Sequence, residues 1–84
     1  SSVLTYPHPF VNECTIKYDL LKETKVSIDL VNVNGNLIKT FVNQDVKSSG
    51  SNQESISMEG LTPGIYLIRI KTELGSTTVK VIKQ

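Results

Sequence analysis

The sequence predicts an all-β sandwich of about seven short antiparallel strands, and three observations carry that prediction. Val, Ile and Thr supply 9, 8 and 8 of the 84 residues, while Ala and Trp are absent. β-branched side chains are stiff at the first torsion and suit a pleated surface, and the best helix former is missing. Apolar and polar residues alternate with period two in at least four segments, the pattern of half-buried strands. Turn-forming residues recur about every 8–12 positions, as sandwich topologies require.

Each element follows in order. Val3–Thr5 opens the chain as a short strand, and Pro7 and Pro9 flank His8 in a rigid extended segment. Cys14, Ile16, Tyr18 and Leu20 share one parity, with Thr15, Lys17 and Asp19 on the other. Val26, Ile28 and Leu30 repeat that pattern, but Val31 and Val33 then break it. A one-residue slip would turn the apolar set outward, so a β-bulge or strong twist is expected near Leu30–Val31. Asn34-Gly35 is a hairpin signal in which both turn positions take positive φ. Residues near 26–33 and 37–43 are therefore expected to pair.

The stretch from Asp45 to Gln53 reads as a polar, Ser-rich loop. Ile56 and Met58 mark a short strand, and Gly60 to Gly64 a tight turn. Tyr66, Ile68 and Ile70 alternate with Leu67, Arg69 and Lys71. Gly75-Ser76 turns the chain into a last strand holding Val79 and Val81. The expected core is Ile16, Tyr18, Leu20, Val26, Ile28, Leu30, Ile56, Met58, Tyr66, Ile68, Ile70, Val79 and Val81. Two thin sheets sharing one apolar layer make an immunoglobulin-like antiparallel sandwich.

A length of 84 residues implies one domain, with no spare volume for a deep active-site cavity. Nine basic and eight acidic side chains give a net charge of +1, which argues against a nucleic-acid partner. No apolar run is long enough to span a bilayer, and no charged start followed by an apolar stretch marks a signal peptide. The chain opens Ser-Ser without an initiating Met, so it is expected to be a piece of a longer protein.

Chemistry is sparse. His8 and Cys14 are the one pair that offers a base and a nucleophile. His8 sits between prolines, and Cys14 has core parity, where an apolar site raises a thiol's pKa instead of activating it. One cysteine allows no internal disulfide and no multi-cysteine metal site. Asn32 to Asn36 lacks the carboxylates and the closing Glu of a calcium loop, and a hairpin explains it better. The five glutamates fall mostly in or near turns and read as solvated charges. Lys71 and Lys80 form a basic edge, for which protection from aggregation is the simplest account. The expectation is a binding or handling module with no catalytic residues, no cofactor and no metal.

Four segments together resemble a known family. Tyr6-Pro7-His8-Pro9-Phe10 is similar to the Tyr-Pro-Asn-Pro-Phe opening of the C-terminal sorting domains of the type IX secretion system, the type A or Por secretion tail. Val31-Asn32-Val33-Asn34-Gly35 with Leu37-Ile38 resembles the family's central turn. Leu61 to Ile70 is close to its Leu-x-x-Gly-x-Tyr-x-x-Arg-Leu signature, and Lys80 to Gln84 resembles its Lys-rich closing strand. His8 stands where Asn is usual, and Asn34 where an apolar residue is common.

The resemblance implies a cargo label at the C-terminus of a larger protein of Bacteroidota, with residues 1–84 forming a single sorting domain. The parent would cross the periplasm and then the outer membrane, to the cell surface or the medium. Its partners would be the type IX translocon, the parent passenger domain and a surface sortase that cuts before the domain. Neither nucleic acid nor membrane insertion is implied. Carried over residue by residue, the resemblance makes Gly35, Gly64, Tyr66, Lys80 and Lys83 candidates for translocon recognition. Tyr6, Pro7, Pro9 and Phe10 form its N-terminal motif. For Gly64 and Tyr66 the plainer account is a required turn conformation and a core aromatic. Two other readings are a non-cleaved immunoglobulin-like accessory domain and a carbohydrate-binding module. The latter wants an exposed aromatic platform, which a chain with 3 Tyr, 2 Phe and no Trp supports poorly.

Overall fold

A computed structural model describes residues 3–6 and 12–84. Seven strands are present: β1 (Val3–Tyr6), β2 (Glu13–Leu20), β3 (Thr24–Val31), β4 (Leu37–Lys47), β5 (Gly50–Ser57), β6 (Gly64–Thr72) and β7 (Gly75–Lys83). They form a three-stranded sheet in the order β1-β2-β5 and a four-stranded sheet in the order β4-β3-β6-β7. Every pairing is antiparallel. The predicted class, an all-β sandwich of about seven strands, is the observed one.

Alternation does the sorting. In β2 the even positions Cys14, Ile16, Tyr18 and Leu20 are buried, and in β3 Val26, Ile28 and Leu30 face them. Tyr66, Ile68 and Ile70 of β6 and Val81 of β7 complete the four-stranded side, while Ile56 and the adjacent Met58 close the three-stranded side. Full burial of each such side chain stabilises by about 1.5–3 kcal/mol relative to exposure. Val79, expected inside, is only half-buried, because β7 is an edge strand with cover on one flank.

The slip near Leu30–Val31 is a register shift between β3 and β4, one of three along that pair. It leaves both Leu30 and Val31 buried. Val31 continues the outer parity of β3, beside Leu37 of β4 and Leu67 of β6.

Two expectations need correcting. Asn34-Gly35 does make the β3–β4 hairpin, but Asn34 does not take positive φ; Gly35 does, at 86°. The Gly35 N–H donates to the Asn32 carbonyl at 2.9 Å, and the Asn32 N–H to the Asn36 carbonyl at 3.0 Å. This is a three-residue loop whose last residue is left-handed, a geometry that needs glycine once and not twice.

The second correction concerns Asp45 to Gln53, which is mostly strand. β4 runs on to Lys47 and β5 starts at Gly50, so only Ser48 and Ser49 connect the sheets. β5 pairs with β2 over eight residues. Its first half, 50–53, has no apolar period, and Asn52 Nδ2 ties it back to the Ser48 carbonyl at 2.9 Å, while side-chain bonds to β2 and β4 hold its second half. Buried Tyr18 donates its hydroxyl to Glu54 Oε2 at 2.9 Å, Lys47 Nζ lies 3.3 Å from the same oxygen, and Ser55 donates to Glu13 Oε1 at 2.6 Å. Glu13 and Glu54 are thus working members of the sheet, not merely solvated charges.

Candidate functional site

Antiparallel register decides which connections share an end of the sandwich. β1 ends at Tyr6 and β2 begins at Glu13 on the same end where β3 turns into β4, β5 passes to β6, and β7 finishes. The opposite end carries the β2–β3, β4–β5 and β6–β7 connections. The three described segments singled out in the sequence therefore meet at one end: Asn32–Gly35, Leu61–Gly64 and the close of β7. Pro7, His8, Pro9 and Phe10 lie outside the described residues. Tyr6, the last residue of β1, is 41% exposed and does not cap the core.

At this Asn-Gly end the turns are locked by side chains. Asn32 Oδ1 accepts the N–H groups of Asn34 at 2.9 Å and Asn36 at 3.0 Å, so one short side chain ties both limbs of the loop. Tyr66 is buried with its ring in the core, and its hydroxyl donates to the Thr62 carbonyl four residues upstream. The Thr62 hydroxyl lies 3.2 Å from the same Tyr66 oxygen. This is a tyrosine corner: the ring anchors in the sandwich while the hydroxyl pins the chain before the strand. Gly64 has φ of 149°, where a side chain is disfavoured, and no atom lies within 4 Å of the position of an added Cβ. Gly64 is there for backbone geometry, not for close approach.

The closing lysines part company. Lys80 is exposed on the outer face of β7, opposite Leu67 of β6. Lys83 has the inward parity of Val81 and is 7% exposed. Period two puts residues three apart on opposite faces. An Ala at Lys83 therefore alters the packed face, whereas one at Lys80 leaves it alone.

Sequence reasoning missed a row across the outer face of the large sheet. Asp29 sits between Thr40 and Arg69 in register, with Thr78 beyond. Thr40 donates to Asp29 Oδ1 at 3.0 Å, and Arg69 Nη2 lies 3.4 Å from Oδ2. The outward parity of Asp29 and Arg69 was legible, but their pairing spans 40 residues. Above this row lie Val31, Leu37 and Leu67, then the exposed cross-strand pair Ile65 and Ile82. The outer face near the Asn-Gly end is therefore aliphatic, with Lys80 at its margin.

The opposite end differs. Buried Thr24 donates to Glu73 Oε1 at 3.2 Å, and the Glu73 N–H donates back to the Thr24 hydroxyl at 3.3 Å. Beside this staple a cleft of about 230 Å³ opens between the sheets, lined by Val3, Tyr18, Leu21, Ile70, Leu74 and Thr77. Asp19 and Ser76 line it as well. Cys14 lies elsewhere in the core, where burial, and then the charge of Glu13, push its thiol pKa up. Among the described residues no three His, Cys, Asp or Glu side chains converge.

Residues 4–84 match the family model described as the secretion system C-terminal sorting domain. No curated protein matches the chain.

Proposed function

The chain belongs to the secretion system C-terminal sorting domains of the type IX class, and from that premise we propose how it is read and what becomes of it. As a sorting signal it implies export of an attached protein to the cell surface or the medium, and contact with the type IX machinery. Our reading is that the folded domain is recognised, and that the Asn-Gly end is the recognised surface. The parent lies N-terminal to it and reaches the translocon through the periplasm. A surface sortase then cuts before the domain, which is the sortase's substrate and performs no chemistry itself.

One observation carries this reading. Three segments far apart in sequence, Asn32–Gly35, Leu61–Gly64 and Lys80–Gln84, gather at one end, two of them in turns locked by Asn32 and Tyr66. A label read in the folded state needs such a rigid frame. The test fuses residues 1–84 to a passenger that carries a periplasmic signal peptide, in a type IX-competent host. The passenger is expected at the surface or in the medium. Mass spectrometry of the exported passenger is expected to find these residues removed. Export with the domain still attached would leave the signal role standing and overturn the cleavage.

A further inference from the structure

A sandwich has four edge strands, and each open edge is a hazard unless it is blunted. β1 is short, at four residues. β4 is broken by three register shifts against β3, and Gln44 within it is left-handed at φ 52°. β5 carries Ser51, Gln53, Ser55 and Ser57 on its outward parity, and Lys47 of the incoming chain lies against its Glu54. β7 is neither short nor broken, and the charge on its outward parity is Lys80 alone. It pairs with β6 through nine consecutive positions without a shift and contains no proline.

The two-residue turn Glu73–Leu74 sets the phase of that ladder. Gly75, Thr77, Val79, Val81 and Lys83 give their backbone groups to β6, so Ser76, Thr78, Lys80 and Ile82 turn N–H and C=O to the open side. Among the described residues none of those groups has a backbone partner outside the β6–β7 pair. Side chains along this edge are unfinished as well. Val79 is half-buried, Ile82 is exposed beside Ile65, and half-buried Val3 stands on the facing lip of the cleft.

We propose that β7 is an acceptor edge for strand addition by an extended segment of a partner protein, with aliphatic side chains on its inner face and a carboxylate on its outer face beside Lys80. Main-chain bonds to Thr78, Lys80 and Ile82 would supply affinity, and alternate side chains the selectivity. Inward aliphatics would cover Val79 and Val3 at the open seam. On the outer face the parity of β7 offers Ser76, Thr78, Lys80 and Ile82, with no carboxylate among them. Pairing β7 with a second copy would gather lysines without a counter-charge, which disfavours self-association. Lys80 thus does more than guard an edge: it rejects a second copy and admits an acidic strand. The partner is a component of the export machinery, which rests on the sorting reading above.

Two measurements test this. In solution, a nine-residue peptide alternating valine and glutamate is added to the ¹⁵N-labelled chain and amide exchange is followed. Exchange at Thr78, Lys80 and Ile82 is expected to slow by about tenfold or more, while a valine–lysine peptide leaves it unchanged. Protection at β1, β4 or β5 instead, or none, overturns the proposal. So does protection by the chain's own rising concentration, which would make the occupant a second copy. In the host, passengers carrying the unaltered domain, Thr78→Pro or Lys80→Glu are compared. Proline at Thr78 removes an outward N–H and spares the bonds to β6, and Lys80→Glu leaves the backbone alone. Both are expected to fold and to lose export to background. If the unaltered domain exports and both folded variants export equally, the edge is not used. If the unaltered domain fails to export, the sorting reading falls, and the peptide result decides the edge by itself.

Discussion

The two ends of the sandwich solve the same topological problem by different means. At the Asn-Gly end turns are tied to themselves, with Asn32 bonding N–H groups two and four residues ahead and Tyr66 the carbonyl four residues behind, and one backbone bond crosses between connections, from the Met58 N–H to the Asn12 carbonyl at 2.7 Å. At the cleft end self-ties also occur, from Asn52 Nδ2 to the Ser48 carbonyl at 2.9 Å and from the Leu74 N–H to the Thr72 hydroxyl at 3.0 Å, but the tie between turns is made by side chains, through the Thr24–Glu73 contacts across 49 residues, and Leu21 and Leu74 stay exposed. A self-tied turn keeps its shape while neighbouring strands breathe. A turn tied to a distant one is only as ordered as the whole sheet. A surface to be read by a partner gains most from the first kind, because less ordering cost remains to be met on binding.

The sharpest way to break this comparison is Tyr66→Ala. It removes a buried ring and the pin on Thr62, and is expected to cost about 3–5 kcal/mol in chemical denaturation. Leu74→Ala at the cleft end is exposed and expected to cost about 0.5 kcal/mol or less. Comparable losses would mean that the ends are equally constrained.

A second test uses alkali against the cleft half of the molecule. Burial, and then the bond and charge of Glu54, hold the Tyr18 hydroxyl pKa well above its ordinary value of 10.0. The folded state therefore keeps a proton that the unfolded chain releases first. That contribution is fully present below pH 10 and is lost as pH rises through the raised value. Cys14, also raised, acts in the same direction from pH 9.0 upward. Melting temperature is expected to fall with pH above that range, and less steeply in Tyr18→Phe. A flat profile would place Tyr18 in contact with water.

Smaller still is Asn32→Ala, which strips two N–H groups of their acceptor at the Asn-Gly end and is expected to cost about 1 kcal/mol by thermal melting. Asn32→Asp keeps the acceptor and should recover most of it. The smallest contrast lies within β7. Lys80→Ala is expected to stay within about 0.5 kcal/mol, and Lys83→Ala to exceed it through the lost packing of a buried stem. The same cost for both would show that the C-terminal end of β7 is frayed.

Much of the fold was legible because period two is a local property. The inward residues of β2, β3 and β6 follow from alternation alone, and the bulge near Leu30–Val31 follows from its failure. The candidate site was legible as separate segments, and their meeting at one end is a matter of strand direction. The first half of β5 was not legible, because Ser51, Asn52 and Gln53 have no apolar period and become strand by pairing with Asp19, Tyr18 and Lys17 of β2, far away in sequence.

The sequence by itself determined that the chain makes short strands, which side chains each strand turns inward, and where glycine must sit at Gly35. Backbone conformation and side-chain parity are decided within a few residues. Tertiary structure alone decided which strands are edges, that Val79 is only half-covered, and that β7 keeps an open row of backbone groups. Those depend on what lies across the ladder and across the sheet gap, and a strand's own residues carry no record of its neighbours.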